Sequence, residues 1–517
     1  MPHRVHPLAA FVFLLLLKTP TSAESLAARL EEVTTAKPCQ NAHWGILVVD
    51  ADTGETVYAL NPDQLFAPAS TTKLFSVAAA LDAFGADFRF QTPVHAKGVI
   101  SKTGVLEGDL ILVASGDITM GGRTDPDGKI AFANTDHTYA SIDSKGELTK
   151  PDPLAGLHDL ARQVRQSGIQ RVSGNVLVDD RLFEKTESTG SGPKQVTPII
   201  VNDSVIDLTI SPSKLGDTAT VDWRPQSLCL QVDPQIQTVE KGEPTRISIR
   251  EISPGRLQLK GRIAEGRSPV LLIHEVKDPA SFARSLFIES LRKAGVAVAA
   301  SPFDDNDPHA LPGFDRYSEL PRVALLKSPP FSETAKLILK VSHNIGASAL
   351  PLLLATRQGK RTLRDGLRLE ADFLGGIGVD GSSISFGSGA GGSPADFTTP
   401  RATVQLLQGM SKHSQFQAYQ NALPILGVDG TLAEAVDADS PVRGHAQGKT
   451  GTFYFANALN GEIILTSKAL AGYLQAKSGR SLIFAMVVNN VRLKAPSDRV
   501  TIGKILGKLC EILYLEN

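Results

Sequence analysis

The chain has 517 residues, 42% of them hydrophobic and 21% charged, with a formal net charge of −1. That length allows roughly two to four domains of ordinary size. The near-zero charge leaves no basic excess to suit nucleic acid and no acidic tail.

The N-terminus places His3 and Arg4 before an apolar run from Leu8 to Leu17, then Lys18, Pro20 and Thr21-Ser22-Ala23. The run is too short to cross a bilayer. Small residues at 21 and 23 fit a signal-peptidase site after Ala23. Residues 1–23 therefore read as a cleaved secretory signal, which predicts an exported protein, periplasmic or extracellular, soluble or loosely associated with wall or membrane. No later apolar run approaches roughly 18 residues, so the mature chain is expected to carry no transmembrane anchor. Export permits disulfides. With three cysteines, at least one stays unpaired within the chain; Cys39 and Cys510 either meet or remain separate thiols, as Cys229 does. None has metal-ligand spacing and no H-E-x-x-H occurs, so neither a metal nor a cofactor is expected.

Along the chain, Trp44 to Val49 reads as a strand, Asp50 to Glu55 as a turn, and Val57 to Leu60 as a second strand. Pro68 precedes a helix on which Leu74, Val77, Ala78 and Leu81 recur at helical spacing, with Gly85 ending it. From about 96 to 299 short β-like runs (Asp109 to Val113, Asn175 to Val178, Ser204 to Ile210, Arg246 to Ile252) are broken by Gly, Pro and Asp, which predicts a β-rich insertion of two subdomains. Thr124 to Pro153 is polar and reads as a loop excursion. Helical patterns return at Ser332 to Val341, Gly346 to Thr356, Leu363 to Leu374 and Arg401 to Met410. Strand patterns follow at Gly448 to Phe455, Leu470 to Gln475 and Leu482 to Val488. A last helix, Arg499 to Tyr514, carries one apolar stripe. The order suits an α/β (α+β) domain built from both chain ends, residues 24–95 and 300–517, interrupted by the insertion.

Three short motifs carry chemistry: Ser70-x-x-Lys73, Ser342-His343-Asn344 and Lys449-Thr450-Gly451. Each alone is weak. Together, in this order and on suitable elements, they form the trio of penicillin-interacting serine enzymes. Ser70 and Lys73 lie one helical turn apart on one face. A serine hydroxyl is a poor nucleophile until a base takes its proton. Lys73 is that base only when neutral, and burial and a second cation, Lys449, both push a lysine pKa down. Placing Ser70 at a helix start brings backbone N–H groups to a developing oxyanion. Ser342 can relay a proton to the leaving amine, Asn344 can hold the substrate backbone, and Lys449 and Thr450 can bind a carboxylate. Gly451 is expected to keep the strand edge open to an extended substrate. Gly387, Gly389 and Gly392 spell G-x-G-x-x-G, but no helix follows directly, so a flexible loop is expected rather than a dinucleotide site.

The sequence resembles the class C low-molecular-mass penicillin-binding proteins, the D-alanyl-D-alanine carboxypeptidase/endopeptidase family. The likeness rests on PASTTKLF at 68–75, Gly108-Asp109-Leu110, Ala114-Ser115-Gly116-Asp117, Val201-Asn202-Asp203, GVDGTL at 427–432, GKTGT at 448–452, ALAGY at 469–473 and FAMVVN at 484–489. Ala114 and Ile118 depart from a glycine and a proline of the family pattern. Asp380 to Ser385 resembles its D-G-S-G-L-S stretch, and 453–468 resembles an insertion beside the third motif. The resemblance implies a penicillin-binding transpeptidase-like domain, with a central antiparallel sheet flanked by helices and interrupted by β-rich inserted domains. It implies Ser70 as nucleophile, Lys73 as base, Ser342 and Asn344 as the second motif, Lys449 and Thr450 on the substrate carboxylate, and the N–H groups of Ser70 and Thr452 as oxyanion hole. The partners implied are peptidoglycan peptides and β-lactams, as covalent inhibitors. The rival readings are a β-lactamase, and a penicillin-acylated wall-binding or sensing protein with little turnover.

Overall fold

A computed structural model describes residues 22–144 and 146–517. The expected signal peptide falls outside the described residues up to residue 21; Ser22 opens a helix, Ser22–Thr35. The central sheet runs Ala446–Ala456, Ile463–Gln475, Ser481–Asn489, His43–Asp50, Thr56–Leu60, with Val491–Leu493 added beside Ile463 to Leu465. All its pairings are antiparallel. His43 lies opposite Asn489 and Asp50 opposite Leu482, so one register joins the two ends of the chain.

The run Trp44 to Val49 is continuously apolar because both faces of its strand are covered. Leu47 and Val49 point into a helical core with Leu74, Val77, Leu350 and Ile483. Ile46 and Val48 point the other way, onto a second core with Leu30, Phe484, Met486 and Leu509, beneath Ser22–Thr35 and the last helix, Arg499–Glu516. Cys39 and Cys510 both lie in this second core as free, buried thiols, pushed up to about 11 and about 12 by burial. The helix Lys73–Phe84 is buried from Lys73 to Leu81, as its near-uniform apolarity requires. It ends at Gly85, whose φ of 79° suits a residue without a side chain. The helices Phe331–Lys340, Asn344–Thr356, Leu363–Gly376 and Pro400–Ser411 complete the layer.

The inserted region holds two further apolar cores. One underlies a six-stranded sheet that includes Gln91–Ile100, Val105–Val113 and Val176–Asp179. The other is shared by two three-stranded sheets between Val205 and Glu275. The first sheet takes its edge strand from Arg322–Lys327, so it reaches beyond the expected 96–299 limits on both sides. The sequence reading assigns no helix here, yet Ala155–Gln166 and Pro279–Lys293 pack on this sheet. The described residues between 124 and 153 are irregular apart from the short turn His137–Tyr139. The 453–468 stretch is no separate loop. It lengthens the hairpin between Ala446–Ala456 and Ile463–Gln475 beyond the third motif.

Phe484 is fully buried between the central sheet and the terminal helices. Phe484→Ala is expected to cost about 3–5 kcal/mol of unfolding free energy, read by urea denaturation; a loss under about 1 kcal/mol would contradict this packing.

Candidate active site

The three motifs meet in one cleft of about 830 Å³, lined by Ser70, Ser342, Asn344, Thr450 and Thr452, with Tyr139 of the inserted region on its far wall. Ser70 sits in the tight turn Ala69–Thr72, directly ahead of the helix Lys73–Phe84. Ala69 takes a left-handed φ of 48° there.

Lys73 is fully buried. Its Nζ lies 2.8 Å from Ser70 Oγ, 2.7 Å from Asn344 Oδ1 and 2.9 Å from the Ala390 carbonyl. Asn344 Nδ2 donates to the Ser191 carbonyl, which turns its Oδ1 toward Lys73. Both Asn344 Oδ1 and Ala390 O can only accept. A neutral amine has two N–H bonds and one lone pair, so donating to both acceptors leaves its lone pair facing the Ser70 hydroxyl. Burial lowers the Lys73 pKa from 10.5 to about 7, against a weaker upward pull from Asp396. Lys449 is also fully buried and lowered well below its ordinary value, first by burial, then by Lys73 and Lys468. The sequence reading shares the depression of Lys73 between burial and Lys449. The structure assigns that depression to desolvation, and the repulsion falls on Lys449.

The Ala390 carbonyl comes from the glycine-rich segment 387–392. This segment is not the expected flexible loop. Asp396 accepts from Gly387 N, Ser388 Oγ and Ser393 N, knitting it together. Gly391 has φ of 87°, and a Cβ there would stand 1.8 Å from the Ala69 carbonyl, so only glycine lets this segment reach the Ser70 turn. No helix begins there, and the dinucleotide reading stays excluded. Asp380 to Ser383, by contrast, forms a surface turn in which Asp380 caps Ser382, and Ile384–Ser385 then pairs with Phe397–Thr398.

The second motif joins two helices. Ser342 holds a φ of 64°, and its Oγ accepts from Lys449 Nζ at 2.9 Å. Its carbonyl accepts from the Tyr139 hydroxyl. Burial and Asp136 push the Tyr139 pKa up, so the phenol keeps the proton it donates. His343, to which the sequence reading gives no role of its own, is fully buried and caps the helix Asn344–Thr356: its Nδ1 accepts from Gly346 N at 3.3 Å. Its Nε2 lies 3.0 Å from Asp203 Oδ1, a close contact whose angle is poor for a hydrogen bond.

Asp203 belongs to a buried charge network that the sequence reading does not contain. Arg123 donates to Asp136 and Asp203, His137 bridges Asp203 (2.7 Å) and Asp207 (2.6 Å), and Arg224 reaches Asp207 (2.9 Å). Both ring nitrogens of His137 face carboxylates, so both donate and the ring is an imidazolium. Burial opposes that charge, but Asp203, Asp207 and Asp136 outweigh it and raise the pKa to about 9. Three cations thus balance three carboxylates.

On the third motif, Lys449 Nζ also donates to the Thr450 carbonyl at 2.7 Å, and the Thr450 hydroxyl to Thr431 at 2.8 Å. Gly451 has a packing role that the sequence reading does not contain. A Cβ there would lie 2.5 Å from the Pro68 carbonyl, so the glycine lets this strand close onto the Ser70 turn. Thr452 pairs in register with Lys468, which also lines the cleft and donates to Thr452 Oγ1 at 2.8 Å. Among the described residues, no group of histidine, cysteine and acidic side chains could hold a metal ion.

A family model described as the D-Ala-D-Ala carboxypeptidase 3 (S13) family matches residues 26–506. The D-alanyl-D-alanine carboxypeptidase of Actinomadura sp. (strain R39) is 26% identical, over 87% of this chain and 81% of the relative. The D-alanyl-D-alanine carboxypeptidase DacB of Haemophilus influenzae is 22% identical over 98% of both chains. The crystal structure of penicillin binding protein 4 from Haemophilus influenzae superposes with a TM-score of 0.68 at 19% identity, covering 94% of this chain and 99% of that one, and shares the fold. With its three motifs gathered in one cleft, the chain belongs to the D-Ala-D-Ala carboxypeptidase 3 (S13) family of serine hydrolases.

Proposed function

We propose that this protein is a serine D-alanyl-D-alanine carboxypeptidase/endopeptidase that acts on peptidoglycan stem peptides through an acyl-enzyme, and that penicillins acylate it. The observation that carries this reading is the hydrogen bonding of Lys73, whose two amine hydrogens are engaged by Asn344 and Ala390 while Ser70 stands at its lone pair. The curated relatives' names, and a Haemophilus influenzae structure described as complexed with a β-lactam, support the substrate and inhibitor classes.

In this reading Ser70 Oγ attacks the penultimate D-Ala carbonyl as Lys73 Nζ takes its proton. The N–H groups of Ser70 and Thr452 receive the oxyanion. Lys449 and Thr450 bind the terminal carboxylate, Asn344 holds the acyl-donor backbone, and Gly451 lets the strand sit close to the nucleophile. The C–N bond breaks as the leaving amine takes a proton from Lys73, with Ser342 as relay. Water then hydrolyses the ester, with Lys73 again as base, releasing the acid and free Ser70. The substrate places the enzyme outside the cytoplasm, consistent with the signal reading of residues 1–23. No described helix is long and apolar enough to cross a membrane. Release of D-alanine from a D-Ala-D-Ala peptide tests the reading; rapid nitrocefin turnover without it would favour a β-lactamase.

Ser70→Ala is expected to abolish covalent benzylpenicillin labelling while leaving thermal unfolding unchanged; labelling of the folded variant would remove Ser70 as nucleophile. Lys73→Ala is expected to slow acylation by roughly 100- to 10,000-fold, and an unchanged rate would remove Lys73 as base. The active form of Lys73 is neutral and its pKa is lowered to about 7. The acylation rate of the native protein should therefore rise with pH through about 7 and level off above it. A rise delayed until near pH 10 would contradict a depressed Lys73.

A further inference from the structure

One segment of the inserted region, residues 130–139, reaches the catalytic domain repeatedly. The Ile130 N–H donates to Glu333 Oε2 at 3.0 Å, on the helix Phe331–Lys340 that leads into the second motif. Asn134 Oδ1 accepts from Gly430 N at 2.7 Å. The Tyr139 hydroxyl donates to the Ser342 carbonyl. Asn134 and Tyr139 bracket Asp136 and His137, which root the segment in the buried charge network. Asp136 accepts from Arg123 at 2.7 and 3.1 Å, and His137 bridges Asp203 and Asp207. Asp136 also accepts from Thr138 N at 3.1 Å and Thr138 Oγ1 at 2.7 Å, which shapes the turn between the two reaching side chains.

What the segment holds is the frame of the site, not the nucleophile. Gly430 opens the turn Gly430–Leu432, and Thr431 in that turn accepts from the Thr450 hydroxyl of the third motif at 2.8 Å. A Cβ on Gly430 would stand 2.3 Å from the Lys340 carbonyl, and Lys340 Nζ pairs with Asp429 at 2.6 Å. The turn is thus wedged between the third strand and the helix end ahead of Ser342. Ser342 itself holds a φ of 64°, which a side-chain-bearing residue keeps only when its surroundings impose it. One rooted segment therefore bonds the strained backbone of the second motif and the turn beside the third. We propose that residues 130–139 form a clasp, and that Asn134 and Tyr139 are positioning residues for acylation, fixing Ser342 and the Thr431–Thr450 pair at one spacing across the cleft. Neither side chain gives or takes a proton of the reaction. For its effect on rate the inference rests on the acyl-enzyme reading, and it adds that the chemistry depends on side chains of the insertion. Loss of either contact lets the reacting frame drift, which slows the chemical step more than it weakens binding.

The test is rapid-mixing acylation by benzylpenicillin, which separates the acylation rate constant from the dissociation constant of the complex that precedes it. Tyr139→Phe and Asn134→Ala are each expected to lower the rate constant roughly 10- to 100-fold, with the dissociation constant within about twofold of native. Asn134→Asp keeps the accepting oxygen and should restore most of the rate. The double variant Asn134→Ala/Tyr139→Phe should lose little more than the worse single change, because both contacts serve one clasp. Rate constants unchanged in both single variants, or a loss confined to the dissociation constant, overturns the clasp. A second readout needs no substrate. Hydrogen exchange of the Gly430 amide should quicken roughly tenfold or more in Asn134→Ala, and by a smaller factor in Tyr139→Phe, whose change lies at the other end of the segment. Native exchange at Gly430 in Tyr139→Phe would make the two contacts independent and overturn the clasp. If the native protein releases no D-alanine while the acylation loss and the exchange coupling stand, the peptidase reading falls and the clasp does not.

Discussion

A lysine amine held out of water is the constraint around which this structure is arranged. Lys73 is useful as a base only without its proton, and desolvation is what removes it at neutral pH. Burying an amine demands partners for its hydrogens. Those partners come from distant parts of the chain: Asn344 from the second motif and Ala390 from a glycine-rich segment that only a missing side chain lets approach. Gly451 closes the third strand onto the same turn for the same reason of space. The helix that bears Lys73 is buried nearly all round, so the base is fixed by packing rather than by a flexible surface.

The inserted region contributes more than a wall. Ser342 is held at a left-handed φ, a conformation that costs on the order of 1–3 kcal/mol unless the surroundings impose it. Tyr139 bonds its carbonyl and Asp203 sits against its neighbour His343, both from the insertion. Behind them the Arg123–Asp136–Asp203–His137–Asp207–Arg224 network is neutral overall. Such a network is poor as a source of net stability and better suited to holding one geometry. The second motif is thus gripped from the side opposite the catalytic sheet.

Much of this was legible in the sequence, where local chemistry decided the outcome. The helix after Ser70 followed from its spacing and Gly85. The continuous run Trp44 to Val49 read as a strand, and the structure sets it inside the central sheet. The first two motifs sit at helix starts and the third inside an edge strand of the central sheet, and the three meet in one cleft. Other features had a signal that went unread: Asp278 followed by Pro279 is a helix start, and the helix Pro279–Lys293 begins there. Still others had none. Asp136 and His137 are neighbours, but a helix, Ala155–Gln166, and several short strands separate them from Asp203 and Asp207, and no local pattern says that a histidine 66 residues from an aspartate will bond it. The roles of Gly391 and Gly451 likewise depend on which backbone comes close, a property of the fold. The direction of the lysine repulsion needed the burial of both amines to be known together.

The account turns on the protonation state of Lys73. The most direct measurement is an NMR titration of the lysine side-chain nitrogens in isotopically labelled protein, with the Lys73 resonance assigned by its loss in Lys73→Ala. The structure predicts a midpoint for Lys73 near 7. A midpoint near the ordinary value of 10.5 would mean that the amine is charged at neutral pH, and Ser70 would need another base.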